Sequence, residues 1–217
     1  MPHTIEETRD GRLLLVKLGP LGPVSNNAYI VADTATSDAV IVDAPAESTY
    51  VIPQTSGLNV RRIIVTHRHR DHWGGIDELL AGIDVPVYTH EEDREPWAQY
   101  VKGTLDDGET IEVGGLRIEV IHTPGHTQGH VCLRIGEHLL SGDTLFPGGP
   151  GRTQTPELLA QEIESITSRL YTLPDTLAVY PGHGANTTVG ASKAEYAVFA
   201  SKPHDPGLSG DVNWLTS

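Results

Sequence analysis

The chain is short of thiols, of positive charge and of long apolar runs, and each shortage removes a class of function. Its single cysteine, Cys132, excludes an internal disulfide framework and any cysteine-rich zinc knuckle. Set in the apolar run HVCLRI, it reads as a small buried hydrophobe. Lysine and arginine number 15 against 29 aspartates and glutamates, a formal net charge of −14. Such a surface repels phosphate backbones and anionic lipid, so no nucleic acid and no membrane is expected as a partner. Divalent metal in a cleft would still add local positive charge and could attract an anionic substrate. No apolar run reaches the roughly 18 residues of a membrane span. The first residues, MPHTIEETRDGR, carry no apolar leader, which points to the cytoplasm.

What remains is ordinary globular material, 38% hydrophobic and 20% charged, and 217 residues suit one layered domain over 1–217. RLLLVKLG reads as a strand ended by the GPLGP turn. NAYIVAD and DAVIVDA, joined by the polar TATS, read as a hairpin. AESTYVIPQTSGL begins like a helix that Pro53 breaks. RRIIVT is a short continuous apolar run, as in a strand buried on both faces. GGIDELLAGI then reads as a helix and VPVYT as a strand, and Thr89 with Glu92 as a capping box that opens a helix over HEEDREPWAQY.

The second half repeats the pattern. TIEVGGLRIEVIHT is a hairpin about Gly114-Gly115, and HVCLRIGEHLLSGD a second about Gly136. TPELLAQEIESITSRLYTL is the clearest helix: Thr155 caps it, Pro156 takes the first turn, and Leu159, Ile163, Ile166 and Leu170 line one face. LAVYPGHG is a strand running into a loop, ASKAEYAVFAS a final helix, and GDVNWLTS a tail whose Trp214 is expected to pack on the core. Strands followed by helices in each half imply an α/β sandwich of two mixed sheets with helices outside.

Four strand-like runs end in loops that carry potential metal ligands. They are His67, His69, Asp71 and His72 in THRHRDHWGG; His126 in HTPGHTQGH; Asp143 in LLSGDTLF; and His183 in VYPGHG. Imidazole and carboxylate suit zinc, iron or manganese, and a set without thiolate fits a catalytic site better than a closed structural one. His67 and His69 point the same way if the segment leaves its strand extended. Past a turn, Asp71 and His72 reach a second ion, and Gly74 and Gly75 let the chain turn away. Five histidines and two aspartates suffice for two ions at about three protein ligands each, with Asp143 the natural bridging carboxylate. His3, His90, His138 and His204 read as ordinary loop or surface histidines. His122 and His130 flank the His126 motif and could support it from behind.

VDAP, THRHRDHWGG, TPGHTQGH, GDTLFPGGPGR and YPGHG, in this order across nearly the whole chain, resemble the metallo-β-lactamase superfamily and, within it, the glyoxalase II (hydroxyacylglutathione hydrolase) branch. The resemblance implies an αββα sandwich with the metals in loops along one edge. It gives His67, His69 and His126 to a first metal, Asp71, His72 and His183 to a second, and Asp143 to the bridge. Asp43 would anchor the first ligand loop. Two divalent ions are implied, zinc first, with iron or manganese as alternatives. They would hold a hydroxide that attacks the acyl carbon of a thioester or related acyl ester, with Asp71 and Asp143 as the carboxylates at the reacting centre.

Glyoxalase II continues past YPGHG into a helical domain whose basic residues bind glutathione. Here one helix and a tail follow His183, with Lys193 and Lys202 as their only positive charges, so a smaller or different acyl substrate is expected. A mononuclear-iron persulfide dioxygenase, with His67, His126 and Asp143 on the iron, is the rival from another class, and lactone hydrolysis a further alternative. A β-lactamase is disfavoured by Asp143 and by the missing export signal, and a nuclease by the charge of −14. Arg152 could meet a substrate carboxylate or be a plain turn residue, and GGPG lacks the spacing of a phosphate cradle. The oligomeric state is left open, with a homodimer compatible.

Overall fold

Alternation in the first half places one set of side chains on each face of a seven-stranded sheet. A computed structural model describes residues 3–95 and 97–217 of the protein. The sheet runs in chain order: β1 (Thr4–Asp10), β2 (Leu13–Leu21), β3 (Asn26–Asp33), β4 (Asp38–Val42), β5 (Asn59–Ile64), β6 (Val87–Thr89) and β7 (Val101–Thr104). The first four strands pair antiparallel and the last three join in parallel. Leu13, Leu15, Tyr29, Val31, Val40 and Val42 point to one side, and Val16, Leu18, Ile30, Ala32, Ala39 and Ile41 to the other. The period of two thus fills two cores at once.

The second sheet has the order β15-β14-β11-β10-β9-β8. Its strands are β8 (Thr110–Val113), β9 (Leu116–His122), β10 (Val131–Ile135), β11 (His138–Gly142), β14 (Ala178–Pro181) and β15 (Thr187–Thr188), while β12 (Leu145–Phe146) and β13 (Gly149–Pro150) form a separate small ribbon. Its inner face, including Ile118, Val120, Val131 and Leu133, closes on the inner face of the first sheet. Helix α1 (Ile76–Gly82) covers the outside of the first sheet through Ile76 and Leu79. Helices α2 (Pro156–Ser165) and α3 (Val189–Ala200) cover the second, and Trp214 is fully buried among them beside Tyr196 and Phe199. The layers are α, β, β, α, as expected. Among the described residues no helix is long and apolar enough to cross a membrane.

Several local expectations are corrected. The N-terminal strand β1 goes unmarked in the sequence because TIEETRD is exposed and polar on both faces, the charged edge that discourages pairing with another sheet. The segment after Pro45 forms two 3-10 turns, Ser48–Tyr50 and Ile52–Thr55, with Pro53 seated in the first turn of the second. The apolar part of RRIIVT is buried on both faces as expected, with Ile63 and Val65 in one core and Ile64 in the other, while the first four residues of β5, Asn59 to Arg62, are exposed or half-buried. The capping box at Thr89 opens no helix. A single 3-10 turn, Glu91–Asp93, forms instead, capped by His90, because the Asp93 carboxylate is drawn into tertiary bonds. Pro96, within that stretch, lies outside the described residues.

Candidate metal centre

The ligand-bearing loops all leave the C-terminal ends of strands, the end where open α/β sheets place their ligands. Beyond β5 the chain bends over Thr66–Arg68 instead of staying extended, and His69 (φ −65, ψ 134) is extended just before the 3-10 turn Arg70–His72; the bend still brings His67 and His69 together. Nε2 of His67 lies 3.1 Å from Nδ1 of His69, and Nε2 of His126 lies 2.8 Å from that same atom. Across a short gap, Nε2 of His72 and Nε2 of His183 are 3.3 Å apart, with Asp71 Oδ2 at 3.4 and 3.2 Å from them. Asp143 stands between the two sets. Its Oδ1 is 3.3 Å from His72 Nε2, and its Oδ2 is 3.4, 3.6 and 4.0 Å from Nε2 of His183, His126 and His67. All seven residues named from the sequence are thereby brought together.

The proton inventory shows that this donor set suits cations. The hydrogen-bond network assigns the outer ring nitrogen of four histidines as the donor. His67 Nδ1 meets Thr66 Oγ1 at 3.1 Å, and His72 Nδ1 meets Asp43 Oδ2 at 2.8 Å. His126 Nδ1 donates to the Arg152 carbonyl at 2.9 Å, and His183 Nδ1 to the Val24 carbonyl at 3.0 Å. In its neutral form each of these rings turns an Nε2 lone pair inward, toward other lone pairs and two carboxylates. Mutually facing acceptors without enough protons repel one another, and divalent ions remove that repulsion.

Electrostatics agrees. Burial pushes His67 well below the usual imidazole range and takes His126 down to about 4, so both rings stay neutral and able to ligate. Burial opposes charge on His72 and His183 as well. The Asp143 and Asp43 carboxylates outweigh it at His72, and Asp143 with Asp71 carries His183 up to about 9. For Asp143 burial acts to raise the carboxyl, but His72, His183 and His67 hold it well below the carboxylate range. The negative potential that draws protons onto His72 and His183 is the potential a divalent cation would meet.

The loops are fixed by groups behind them. Asp43, in the left-handed region at φ +63, accepts from the Thr66 N–H at 2.8 Å and the Thr66 hydroxyl at 3.1 Å, and also holds His72. It therefore ties both ends of the first ligand loop, the anchoring role the resemblance implies. His130 is fully buried, and its Nε2 accepts from the Asp143 N–H at 2.9 Å, so it supports the carboxylate from behind. Gly74 and Gly75 lie in the turn that leads into α1, as expected, but neither has a left-handed φ, so close approach rather than backbone freedom calls for glycine there. A Cβ on Gly75 would overlap the Pro45 carbonyl oxygen, and one on Gly74 would sit 2.9 Å from the Arg70 carbonyl oxygen. Gly182 lets the backbone pass where a Cβ would strike Asp143 Oδ1 and His72.

Three supporting residues escaped the sequence reading. Asn26 donates from Nδ2 to Asp71 Oδ2 at 2.9 Å and approaches His183 Nε2 at 3.3 Å. Asp93, buried, accepts from the Arg68 N–H at 3.0 Å, the Gly129 N–H at 3.0 Å and the Thr127 hydroxyl, so it joins the first ligand loop to the second. Glu162 on α2 accepts from the Gly151 N–H at 3.0 Å, next to the Arg152 carbonyl that orients His126. Nothing in a single sequence marks these three, because each acts only across folded contacts. His3, His138 and His204 lie elsewhere, bonded to Pro20, Tyr180 and Phe199. His90 does not stand alone as expected but gathers with Glu92 and His122.

His69 and His126 open on a cavity of about 610 Å³, also lined by Arg152, Thr153, Gln154, Ser209 and Gly210. That volume is of small-molecule size. Arg152 is exposed at its rim, its Nε 4.0 Å from Asp211.

Comparison with known proteins gives consistent results. The family model described as Metallo-beta-lactamase superfamily matches residues 21–196. The chain is 33% identical over 200 residues to an uncharacterized protein of Aquifex aeolicus, covering 83% of this chain and 95% of that one. It is 35% identical over 179 residues to a hydroxyacylglutathione hydrolase of Shewanella halifaxensis, covering 78% of this chain and 66% of the hydrolase. Among solved structures, the BLEG-1 B3 metallo-beta-lactamase aligns with a TM-score of 0.72 at 27% identity, over 83% of this chain and 96% of that one. ETHE1 from Myxococcus xanthus aligns at 0.73 and 25% identity, over 92% and 86%. TTHA1623 in a di-iron-bound form aligns at 0.62 and 31% identity, over 80% and 94%.

Proposed function

The chain belongs to the metallo-beta-lactamase superfamily, and from that membership we propose a metal-dependent hydrolase of a thioester or related acyl ester, acting as one domain over its 217 residues. The observation that carries this reading is the position of Asp143, whose carboxylate lies between the two groups: Oδ1 faces His72, and Oδ2 faces His183 on one side and His126 and His67 on the other. On this reading His67, His69 and His126 hold one ion, Asp71, His72 and His183 a second, and Asp143 lies between them; zinc is the first choice. Bound there, divalent ions supply Lewis acidity and bring the pKa of water toward about 7.

The chain's own groups do the rest. Asp71 has one oxygen fixed by Asn26 and a side chain 31% exposed, so it is the carboxylate able to exchange a proton with solvent or a departing group. The wall formed by His126, Arg152 and Gln154 holds the acyl compound against the centre, and Arg152 is placed to meet a substrate carboxylate. A thiolate leaves with little need of a proton, which is why a thioester is the first choice over a lactone. Support comes from the Shewanella hydrolase. Glutathione itself is disfavoured, because Lys193 is engaged by Asp175 and the Leu173 carbonyl and does not face a ligand.

The second reading is a mononuclear-iron persulfide dioxygenase, in which His67, His126 and Asp143 would hold the iron; Nε2 of both histidines approaches Asp143 Oδ2, at 4.0 and 3.6 Å. Protein produced without added metal is analysed for its ions and assayed on a thioester, a lactone and, with an oxygen electrode, a persulfide. Two ions per chain with thioester turnover that H69A and D143A abolish is the expected result. One iron per chain with oxygen uptake overturns it, and hydrolysis surviving both substitutions refutes any metal mechanism.

A further inference from the structure

A second group of ligating side chains comes together away from the centre. His90 follows β6, Glu92 lies in the turn after it, and His122 ends β9. One ligand atom from each lies within 4.8 Å of the others. The two imidazoles are stacked, with centroids 4.1 Å apart and planes 10° from parallel. The His90 ring accepts from the Glu92 N–H and the His122 ring bonds the Gln128 carbonyl, while the His122 backbone is held by Asp107 and Arg169; neither ring bonds any of the seven ligands above.

The chemistry of these groups is that of a cation site. His122 donates from Nε2 to the Gln128 carbonyl at 2.7 Å, which fixes the tautomer and leaves a lone pair on Nδ1, the outer support that metal-ligating histidines usually have. Burial, and next the His122 ring, keep His90 below the ordinary imidazole range, which favours the neutral, ligating form of its ring. Glu92, Asp93 and Asp106 all impose a negative potential on it. Arg169, on the same side, is neutralised by both oxygens of Asp107 at 2.7 and 2.8 Å.

We propose that His90, Glu92 and His122 form a second, peripheral site for one divalent transition-metal ion of the zinc, nickel or copper class. Two imidazoles and a carboxylate without thiolate select that class, with water completing the coordination. Parallel rings cannot both aim in-plane lone pairs at one ion, so capture opens the stack. His90 is the ring that turns, since its ring contact to the chain is a 3.3 Å bond from the Glu92 N–H. The ion ties the Glu91–Asp93 turn to the end of β9, and Asp93 in that turn is the residue that joins the two ligand loops. The site is a structural clasp for the main centre and holds whichever reaction that centre performs.

The test uses the metal-loaded protein, desalted and then dialysed against micromolar Zn²⁺ or Ni²⁺, with bound metal counted by plasma emission. The wild type takes up one ion per chain more than H90Q/H122Q, a difference independent of how many ions the main centre holds. In a zinc titration followed by the ring signals of the histidines, those of His90 and His122 shift. E92Q, which removes neither ring, weakens the extra ion by at least about tenfold and guards against a double variant that fails to fold. Equal uptake by wild type and H90Q/H122Q, or an affinity that E92Q leaves unchanged, overturns the proposal.

Discussion

Replacing Asp93 with alanine tests whether the two principal ligand loops are held by one carboxylate. Its oxygens accept from the Arg68 N–H, the Gly129 N–H and the Thr127 hydroxyl, and the Gly129 bond is fully buried. Hydrogen bonds to a charged group contribute about 1.5–3 kcal/mol each, and a buried donor left unpaired costs about 1–3 kcal/mol. Water entering the gap recovers part of this, so D93A should lose about 4 kcal/mol, a large share of the roughly 5–15 kcal/mol that holds a domain folded. D93N should lose less, because one oxygen remains to accept while the new amide faces a donor. Urea unfolding of the metal-stripped protein measures both, beside D84A, an exposed control expected to shift by under about 0.5 kcal/mol. Zinc affinity should fall in the same order, since His69 and His126 sit on the loops that Asp93 joins. A loss below about 1 kcal/mol in D93A, with unchanged zinc affinity, would show that the loops hold themselves.

Three further outcomes are expected. D43N, which keeps the size of the anchor but weakens its hold on His72 and Thr66, should lower metal affinity about 10–100-fold by equilibrium dialysis. G75A should destabilise the fold by about 3 kcal/mol, because its Cβ overlaps the Pro45 carbonyl oxygen; a melting temperature unchanged from wild type contradicts the close approach. Burial raises the Glu162 carboxyl well above its ordinary value of 4.5, against the pull of the Gly151 N–H. Its folded-state proton is therefore a stabilising one at low pH, and that contribution disappears as pH climbs from 4.5 through the raised folded value. Stability curves of wild type and E162Q should diverge over that window, with the wild type falling more steeply; parallel curves would mean Glu162 is ionised.

The parts of this molecule legible in its sequence share one property: their signal is local. His67, His69, Asp71 and His72 lie within six positions behind an apolar run, and Gly114 and Gly136 mark hairpins that do form, both at positive φ. Tyr29 and Val31 against Ile30 and Ala32 show both cores in a plain alternation. Asp93 lies inside HEEDREPWAQY, which the Thr89–Glu92 capping box marks as a helix, and its real partners are 25, 34 and 36 residues away. Asn26, 45 residues from Asp71, sits in an unremarkable strand. The edge strand β1 carries no alternation because neither of its faces is buried. Where a residue's task exists only after the chain has closed on itself, its neighbours in sequence carry no trace of it.

The cavity beside His69 and His126 owes its floor to the ligand loops, but one wall to Ser209 and Gly210, pinned by the Thr153–Gly210 bridge and the deep seat of Trp214. Reaction chemistry and choice of substrate are thereby written in separate stretches of chain. The stretch around 209–213 lines cavities at the centre without supplying any of the metal-facing residues. In such a layout a new specificity is reached by editing a margin, and the ligand loops carry over unchanged.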